Sequence, residues 1–245
     1  MKIVVIIPTY NEAGIIALLL SALQKEVEKI FHHQFQILVV DANSPDGTAE
    51  VVRKLKKIHA NIELLIEPRR RGLGAAYLAG MEHAIKRMGA DAIVEFDGDF
   101  QHDPKDMKKL IHEFDKGYDY VIGSRYVPGG SIPKEWGWYQ RFLSKYGSLF
   151  IRWMLGLPTR DNTSGFKLSR VKNFAERLSL AEEKILSRFH AYKIHLLFEM
   201  LALGAKVVEV PITFLERKDG SSKSTWTDIL ESLKVVFILK WRKRK

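Results

Sequence analysis

Residues 95 to 104 read EFDGDFQHDP, with Asp97 and Asp99 spaced by one glycine at the end of an apolar stretch. Residues i and i+2 of a strand point the same way, so both carboxylates are expected on one side of the strand's exit. Gly98 between them leaves the backbone open to a ligand. Two carboxylates and the Gln101 amide are hard oxygen donors of the kind that hold Mg2+ or Mn2+, and such ions keep positions open for phosphate oxygens. Without a cation, two like charges converging behind an apolar strand repel each other. The chemistry these residues suggest is a metal–diphosphate clamp. Asp103, which precedes Pro104, reads more simply as a helix cap.

Two further stretches are suited to anions. RRRGLGAA (69 to 76) opens a helix behind three arginines, and helix N-termini attract phosphates. It is neither a dinucleotide fingerprint nor a phosphate loop of the GxxxxGK[ST] type. ERKDGSSKS (216 to 224) brings Arg217, Lys218 and Lys223 around Gly220, either as a closing phosphate lid or as a solvated loop.

Positioning these groups requires a sheet. Apolar β-branched runs at 2 to 8, 36 to 41, 62 to 66, 92 to 96 and 120 to 124 alternate with helical patterns at 12 to 31, 47 to 58, 74 to 88 and 105 to 116. Strands apolar on both faces and separated by helices indicate a buried, mostly parallel α/β sheet, in which ligands collect at the carboxyl ends of strands. The polar residues gather at those ends: Thr9, Tyr10, Asn11 and Glu12, then Asp41, Asn43, Ser44 and Asp46, then Asp97 and Asp99, then Arg125. Residues 126 to 160, rich in glycine, proline and large aromatics, read as an insertion. A helix is expected at 192 to 203, a strand over KVVEVPITF, and a last helix opened by a capping box of Thr225 and Asp228.

The 245-residue chain carries 39 Lys and Arg against 29 Asp and Glu, a net charge of +10, and is 46% hydrophobic. It is a folded protein with an anionic partner. The absence of cysteine excludes disulfides and thiolate chemistry. The first residues read as a strand rather than a signal peptide, and no run approaches the ~18 apolar residues of a membrane span. A nucleic-acid binder would show a basic stripe without acids at the ligand-binding strand ends, so nucleic acid is not an expected partner.

IIPTYNE, VVDANSPDGT, RGLGAA, FDGDFQHDP, IGSRYVPGG, TSGFKLSR, VVEVPITF and RKDGSSK follow one another in the order and spacing of the dolichol-phosphate (polyprenol-phosphate) mannosyltransferases. The chain resembles this group, within the family 2 glycosyltransferases of GT-A fold, over residues 1 to 224. The resemblance implies a catalytic domain over 1 to 224 that carries mannose from GDP-mannose to a polyprenyl or dolichyl phosphate with inversion. It places Pro8, Tyr10, Glu12, Val40 and Asp41 around the base and ribose. Asp97, Asp99 and Gln101 would hold Mg2+ or Mn2+ and the diphosphate, with Gly98 giving backbone access. Arg125, Arg141, Ser144 and Ser222 would meet the acceptor phosphate, and Lys193, Arg217 and Lys223 would complete the anion sites.

Two positions depart from the pattern. Ala42 stands where the second of two aspartates is usual, which leaves a UDP-glucose or other UDP-sugar donor open, and also a nucleotide-binding protein without activity. His195 has no family role and reads as a satisfied helix histidine.

The chemistry suits cations. A lipid phosphate is already an anion at neutral pH, so positioning replaces a strong general base, and arginine's planar fork suits phosphate better than lysine. Residues 225 to 245 combine an apolar stripe (Trp226, Ile229, Leu230, Leu233, Phe237) with a basic end, and with Trp136, Trp138, Tyr139 and Trp153 suggest a helix that docks on the cytoplasmic face of a membrane. The competing reading is a core helix with a solvated tail. Similar proteins often carry membrane spans after this helix; here the helix itself, a membrane-anchoring partner subunit or a further segment would serve.

Overall fold

The computed structural model describes residues 1–178, 180, 184–217 and 226–242. The described chain forms β1 (Lys2–Thr9), α1 (Ala13–Val27), β2 (Gln34–Asp41), α2 (Thr48–Ile58), β3 (Ile62–Ile66), α3 (Leu73–Lys86), β4 (Ala92–Glu95), α4 (Met107–Asp115), β5 (Tyr120–Ser124), α5 (Trp138–Leu155), β6 (Lys167–Arg170), α6 (Tyr192–Ala202), β7 (Val207–Pro211) and α7 (Trp226–Arg242). The seven strands make one sheet in the order β3-β2-β1-β4-β6-β5-β7. β1 pairs in parallel with β2 and β4, β2 with β3 and β5 with β7, while β6 runs antiparallel between β4 and β5. The mostly parallel α/β sheet is therefore as expected, with one reversed strand added.

Period-two alternation splits the core into two layers. Ile3, Val5 and Ile7 of β1 face α1 and α4, with Val52 of α2. Val4 and Ile6 face the other layer, where α3, α5, α6 and α7 pack. α3 lies close to the sheet because Gly80 has no side chain: a Cβ there would stand 2.6 Å from Ile6 Cγ2 and 3.0 Å from Val40 Cγ2.

The aromatic segment contains an 18-residue helix, α5, that its Gly and Pro neighbours masked in the sequence. Ser148, Ile151 and Leu155 face the core from it. Val235, Val236 and Leu239 of α7 join the same core layer, fully buried. Thr225 of the expected capping box lies outside the described residues. No helix among the described residues is long and apolar enough to cross a membrane.

Candidate active site

β4 ends at Glu95, two residues before Asp97, so the pair sits in a turn and not on the strand. Phe96 still donates to Ile6 O, but Phe100 then adopts φ 59, a left-handed conformation a bulky residue takes only when its surroundings hold it. That turn lets Gln101 N–H donate to Asp99 Oδ1 at 3.1 Å, and pairs Gln101 with Leu215. Gly98 is buried: a Cβ there would lie 2.7 Å from Pro8 O. The glycine serves close packing of this turn on the end of β1, a role different from the open backbone expected.

The two carboxylates have different surroundings. Asp97 accepts from Tyr77 Oη at 2.7 Å and pairs with Lys193 Nζ at 3.2 Å, with His102 Nε2 3.5 Å away. Burial raises an acid's pKa, but Lys193, His102 and Tyr77 outweigh it and hold Asp97 well below the usual carboxylate range. Asp99 instead is pushed up, by burial and by the charge of Asp97, against the opposing pull of Arg217. Arg217 Nη2 stands 3.1 Å from Asp99 and 3.8 Å from Glu12.

Behind Asp97 lie groups that the sequence did not mark. Gly165 of β6's approach presses on it: a Cβ would fall 1.8 Å from Asp97 Oδ2 and 2.7 Å from Lys193 Nζ. His102 is buried among Phe96, Phe166 and Phe214. Tyr192 donates to the buried Glu95 at 2.6 Å, and Lys167, fully buried, donates to the carbonyl of Lys193 at 3.3 Å. Desolvation lowers Lys167 to about 8, against the pull of Glu95. The sequence signals were indirect: a glycine, an aromatic and a lysine within SGFKLS.

The other expected residues divide. Asp41 is fully buried, accepting from Thr9 Oγ1, Ser44 Oγ and Ser44 N at 3.0, 2.7 and 2.9 Å. Val40 exposes nothing and its side chain packs toward Gly80, so it supports the site from within the core; Pro8 is also buried. Tyr10 is half-buried under the Arg70 guanidinium at 4.4 Å from its ring. Ala42 is buried, its N–H bonded to Thr9 O.

Arg125 is held bidentate by the fully buried Asp161, through Nε and Nη2, both at 2.7 Å, and Nη2 also donates to Thr163 Oγ1 at 2.9 Å. The pairing with Asp161 overcomes the burial that would lower Arg125 and raises its pKa further. The Arg125 guanidinium lies 5.2 Å from the Phe214 ring, which also meets His102 and Trp136. Arg141 is exposed and donates to the carbonyls of Pro133, Lys134 and Trp136, closing the loop before α5. Ser144 Oγ bonds Tyr126 Oη. Ser222, Lys218 and Lys223 lie outside the described residues.

A further expectation is overturned. The N-terminus of α3 is not open to anions, because Gly74 and Ala75 N–H groups donate to Arg188 O at 2.8 and 3.2 Å. Gly72, at φ 113, allows that approach, and Arg71 is taken by Glu67. His195 is a helix residue satisfied on one side alone: Nδ1 accepts from Leu186 N, while the buried Nε2, 3.3 Å from Glu199, makes no hydrogen bond among the described residues. Asp103 caps its turn by accepting from Lys105 N at 3.0 Å.

What this arrangement offers is an acidic pair hemmed by cations at the carboxyl ends of parallel strands. Polyprenol monophosphomannose synthase of Mycolicibacterium smegmatis is 36% identical over 236 residues, 95% of this chain and 84% of that protein. Undecaprenyl-phosphate mannosyltransferase of Micrococcus luteus is 35% identical, covering 98% of this chain and 94% of that one. The fold matches a mannosyltransferase from Pyrobaculum calidifontis, solved with GDP-Man and Mn2+, at TM-score 0.61 and 18% identity, over 98% of this chain and 64% of that one. The family model Glycosyl transferase family 2 matches residues 4–178. The chain therefore belongs to glycosyl transferase family 2 and is a glycosyltransferase of GT-A fold.

Proposed function

We propose that this chain transfers mannose from GDP-mannose to a polyprenyl phosphate, with inversion and with a divalent cation. The observation that carries the reading is the Asp97–Asp99 turn, where Lys193 and Arg217 stand against two carboxylates at the strand ends. The relatives' names support the sugar and the lipid acceptor. The Pyrobaculum neighbour's bound GDP-Man and Mn2+ support the donor and the metal.

The residues present fit a hard cation. Asp99, raised by burial and by its neighbour's charge, is an acid whose ionised form a cation would favour. Gln101 commits its amide N–H to Leu215 O, which leaves its carbonyl oxygen as a donor to metal. Asp97 and Asp99 each have both oxygens engaged by protein donors, and each oxygen keeps a second lone pair, so Asp97, Asp99 and Gln101 together are the ligands in this reading. The chemistry a bound Mg2+ or Mn2+ supplies is neutralisation of charge on the departing diphosphate.

The protein's own groups do the rest. Arg217 reaches from Asp99 to Glu12 and is placed to follow the diphosphate as charge develops. The acceptor phosphate needs no strong base, and His102, the histidine nearest Asp97 among the described residues, is sealed among aromatic rings with Nε2 turned to that carboxylate. Arg125 has Nε and Nη2 fixed by Asp161 and Thr163, so it presents Nη1 to the acceptor from a rigid pose. Arg141 and Ser144 remain assigned to the acceptor side along α5. The buried Ala42 provides no carboxylate for a base, which keeps a UDP-sugar donor as the second reading.

The acceptor's apolar chain requires a lipid surface, and α5 and α7 supply one. Phe142, Tyr146, Leu149 and Trp153 run along the outer face of α5, 49 to 74% exposed, and Trp226, Leu230, Phe237 and Trp241 run along α7. The two rows meet at Tyr139 and Trp226, 6.1 Å apart. In this reading α7 is both core helix and membrane contact, its inner face buried and its outer face docked on an anionic leaflet that the net charge of +10 favours.

Transfer of radiolabel from a panel of sugar nucleotides to a polyprenyl phosphate tests the reading. Label passing from GDP-mannose, and lost on chelation, supports it; label passing from a UDP-sugar instead selects the second reading.

A further inference from the structure

A second cluster of ligand atoms lies at the opposite end of the sheet, where β2 begins. His32 and His33 occupy the turn between α1 and β2, and Asp115 is the last residue of α4. His32 Nε2 stands 2.9 Å from Asp115 Oδ2 and His33 Nε2 stands 2.8 Å from Oδ1. One ligand atom from each residue lies within 4.8 Å of the others. Among the described residues this is the one set of three or more His, Cys, Asp or Glu side chains so gathered, and the mechanism above uses none of it.

The cluster is built rather than splayed. His33's side chain is only 7% exposed, its ring set edge-on to Phe35 and Phe114, each 6.5 Å away. Its Nδ1 is buried with no hydrogen-bond partner among the described residues, so Nε2 is the ring's one polar anchor, and it points at the carboxylate. His32 lies beside it, rings 4.4 Å apart, with its side chain 52% exposed and solvent at hand to complete a coordination sphere.

We propose that His32, His33 and Asp115 form a site for a zinc-type dication, separate from the Asp97–Asp99 turn. Two imidazoles and one carboxylate are a donor set for zinc and not for magnesium, which prefers oxygen alone. Tetrahedral zinc with bonds of about 2.0–2.2 Å sets neighbouring ligand atoms about 3.3 Å apart, so each His–Asp distance lengthens by about half an ångström on loading. The imidazole nitrogens, already within 4.8 Å of one another, settle on one carboxylate oxygen's side. Three protein ligands leave the fourth position to water. The bound ion would tie the α1–β2 turn to the end of α4, joining two segments 82 residues apart in sequence.

Cobalt titration of the full chain, made without a histidine tag, tests this directly, because tetrahedral Co2+ absorbs visible light far more strongly than the octahedral ion expected on an oxygen-donor site. The expected result is one intensely absorbing Co2+ per chain, displaced by Zn2+, retained in Asp99→Ala and weakened at least tenfold in His32→Ala and in Asp115→Asn. Zn2+ should also raise the melting temperature of the parent and not of those two variants. The test rests on His32→Ala, which changes a half-exposed ring and leaves the buried His33 ring in place. Absence of the band from the parent, or a band equally strong in His32→Ala and Asp115→Asn, would overturn the site and leave a hydrogen-bonded His–Asp cluster.

Discussion

Gly165→Ala is the smallest change that reaches the acidic turn. The added methyl would sit 1.8 Å from Asp97 Oδ2 and 2.7 Å from Lys193 Nζ, whereas ordinary contact begins near 3.4 Å. Asp97 cannot simply rotate aside, because Tyr77, Lys193 and His102 hold it from other directions. Either the carboxylate or the segment bearing residue 165 must move by about 1.5 Å, a distance that strips the hydrogen bond to Tyr77. Misplacement of about 1 Å costs ~10²-fold in rate, equivalent to about 2.7 kcal/mol. The expected outcome is therefore a kcat at least ~10²-fold lower, with weaker metal-dependent donor binding, read by radiolabel transfer and calorimetry. The fold should survive with a loss of about 1–3 kcal/mol from the disturbed buried bonds. Gly147→Ala is the matched control: nothing lies within 4 Å of its Cβ, and on α5 an alanine should be neutral or stabilising by up to about 1 kcal/mol. Parent-like kcat, donor affinity and melting temperature in Gly165→Ala would refute the claim that this glycine shapes the Asp97 pocket.

Asp161→Asn leaves the Arg125 guanidinium, only 8% exposed, without its charge partner, and should cost about 3–5 kcal/mol in urea unfolding; a loss under about 1 kcal/mol would show that Arg125 relaxes to solvent. Lys167, lowered to about 8 in the fold, is deprotonated there before it is in the unfolded chain, near 10.4. Between those values the unfolded state binds the extra proton, so this group makes stability rise with pH, by at most about 1.4 kcal/mol per unit. Lys167→Met should flatten the stability profile between pH 8 and 10, and an unchanged slope there would exclude this origin. Trp153→Ser and Trp241→Ser, at positions 74% and 68% exposed, should weaken co-sedimentation with anionic vesicles while leaving the melting temperature unchanged; Leu239→Asp, fully buried, should lower the melting temperature. Vesicle binding unaffected by both tryptophan changes would retire the docking face.

The parallel half of the fold was legible because β1, β2 and β4 carry apolar side chains on both faces, and only a covered sheet tolerates that. β6 was not, because KLSR mixes a buried lysine, a serine and an arginine with one leucine, and the lysine's charge is stabilised by Glu95 of β4, its neighbour in the sheet but far away in sequence. α5 was hidden for another reason: Pro128, Gly129, Gly130, Pro133 and Gly137 crowd the stretch before it, and loop signals of that density masked the helix that follows. At the site, Asp97 and Asp99 stood out by spacing, but the argument from strand alternation was mistaken, since both residues lie beyond β4. What Asp97 touches depends on Tyr77, His102, Gly165 and Lys193, which meet only through the folding of α3, β6 and α6. No local pattern encodes that meeting. The arginine-rich start of α3 looked available to anions because the carbonyl that fills it, from Arg188, is over a hundred positions away.

The most direct test of the account is calorimetric binding of GDP-mannose to the parent chain and to Asp99→Ala, each with Mg2+ or Mn2+ and again with chelator. If Asp97, Asp99 and Gln101 hold the metal that receives the diphosphate, the parent should bind the donor at least tenfold more tightly with metal than without, and Asp99→Ala should bind equally weakly in both conditions. An undiminished metal-dependent gain in Asp99→Ala would contradict the clamp and move the diphosphate elsewhere in the site.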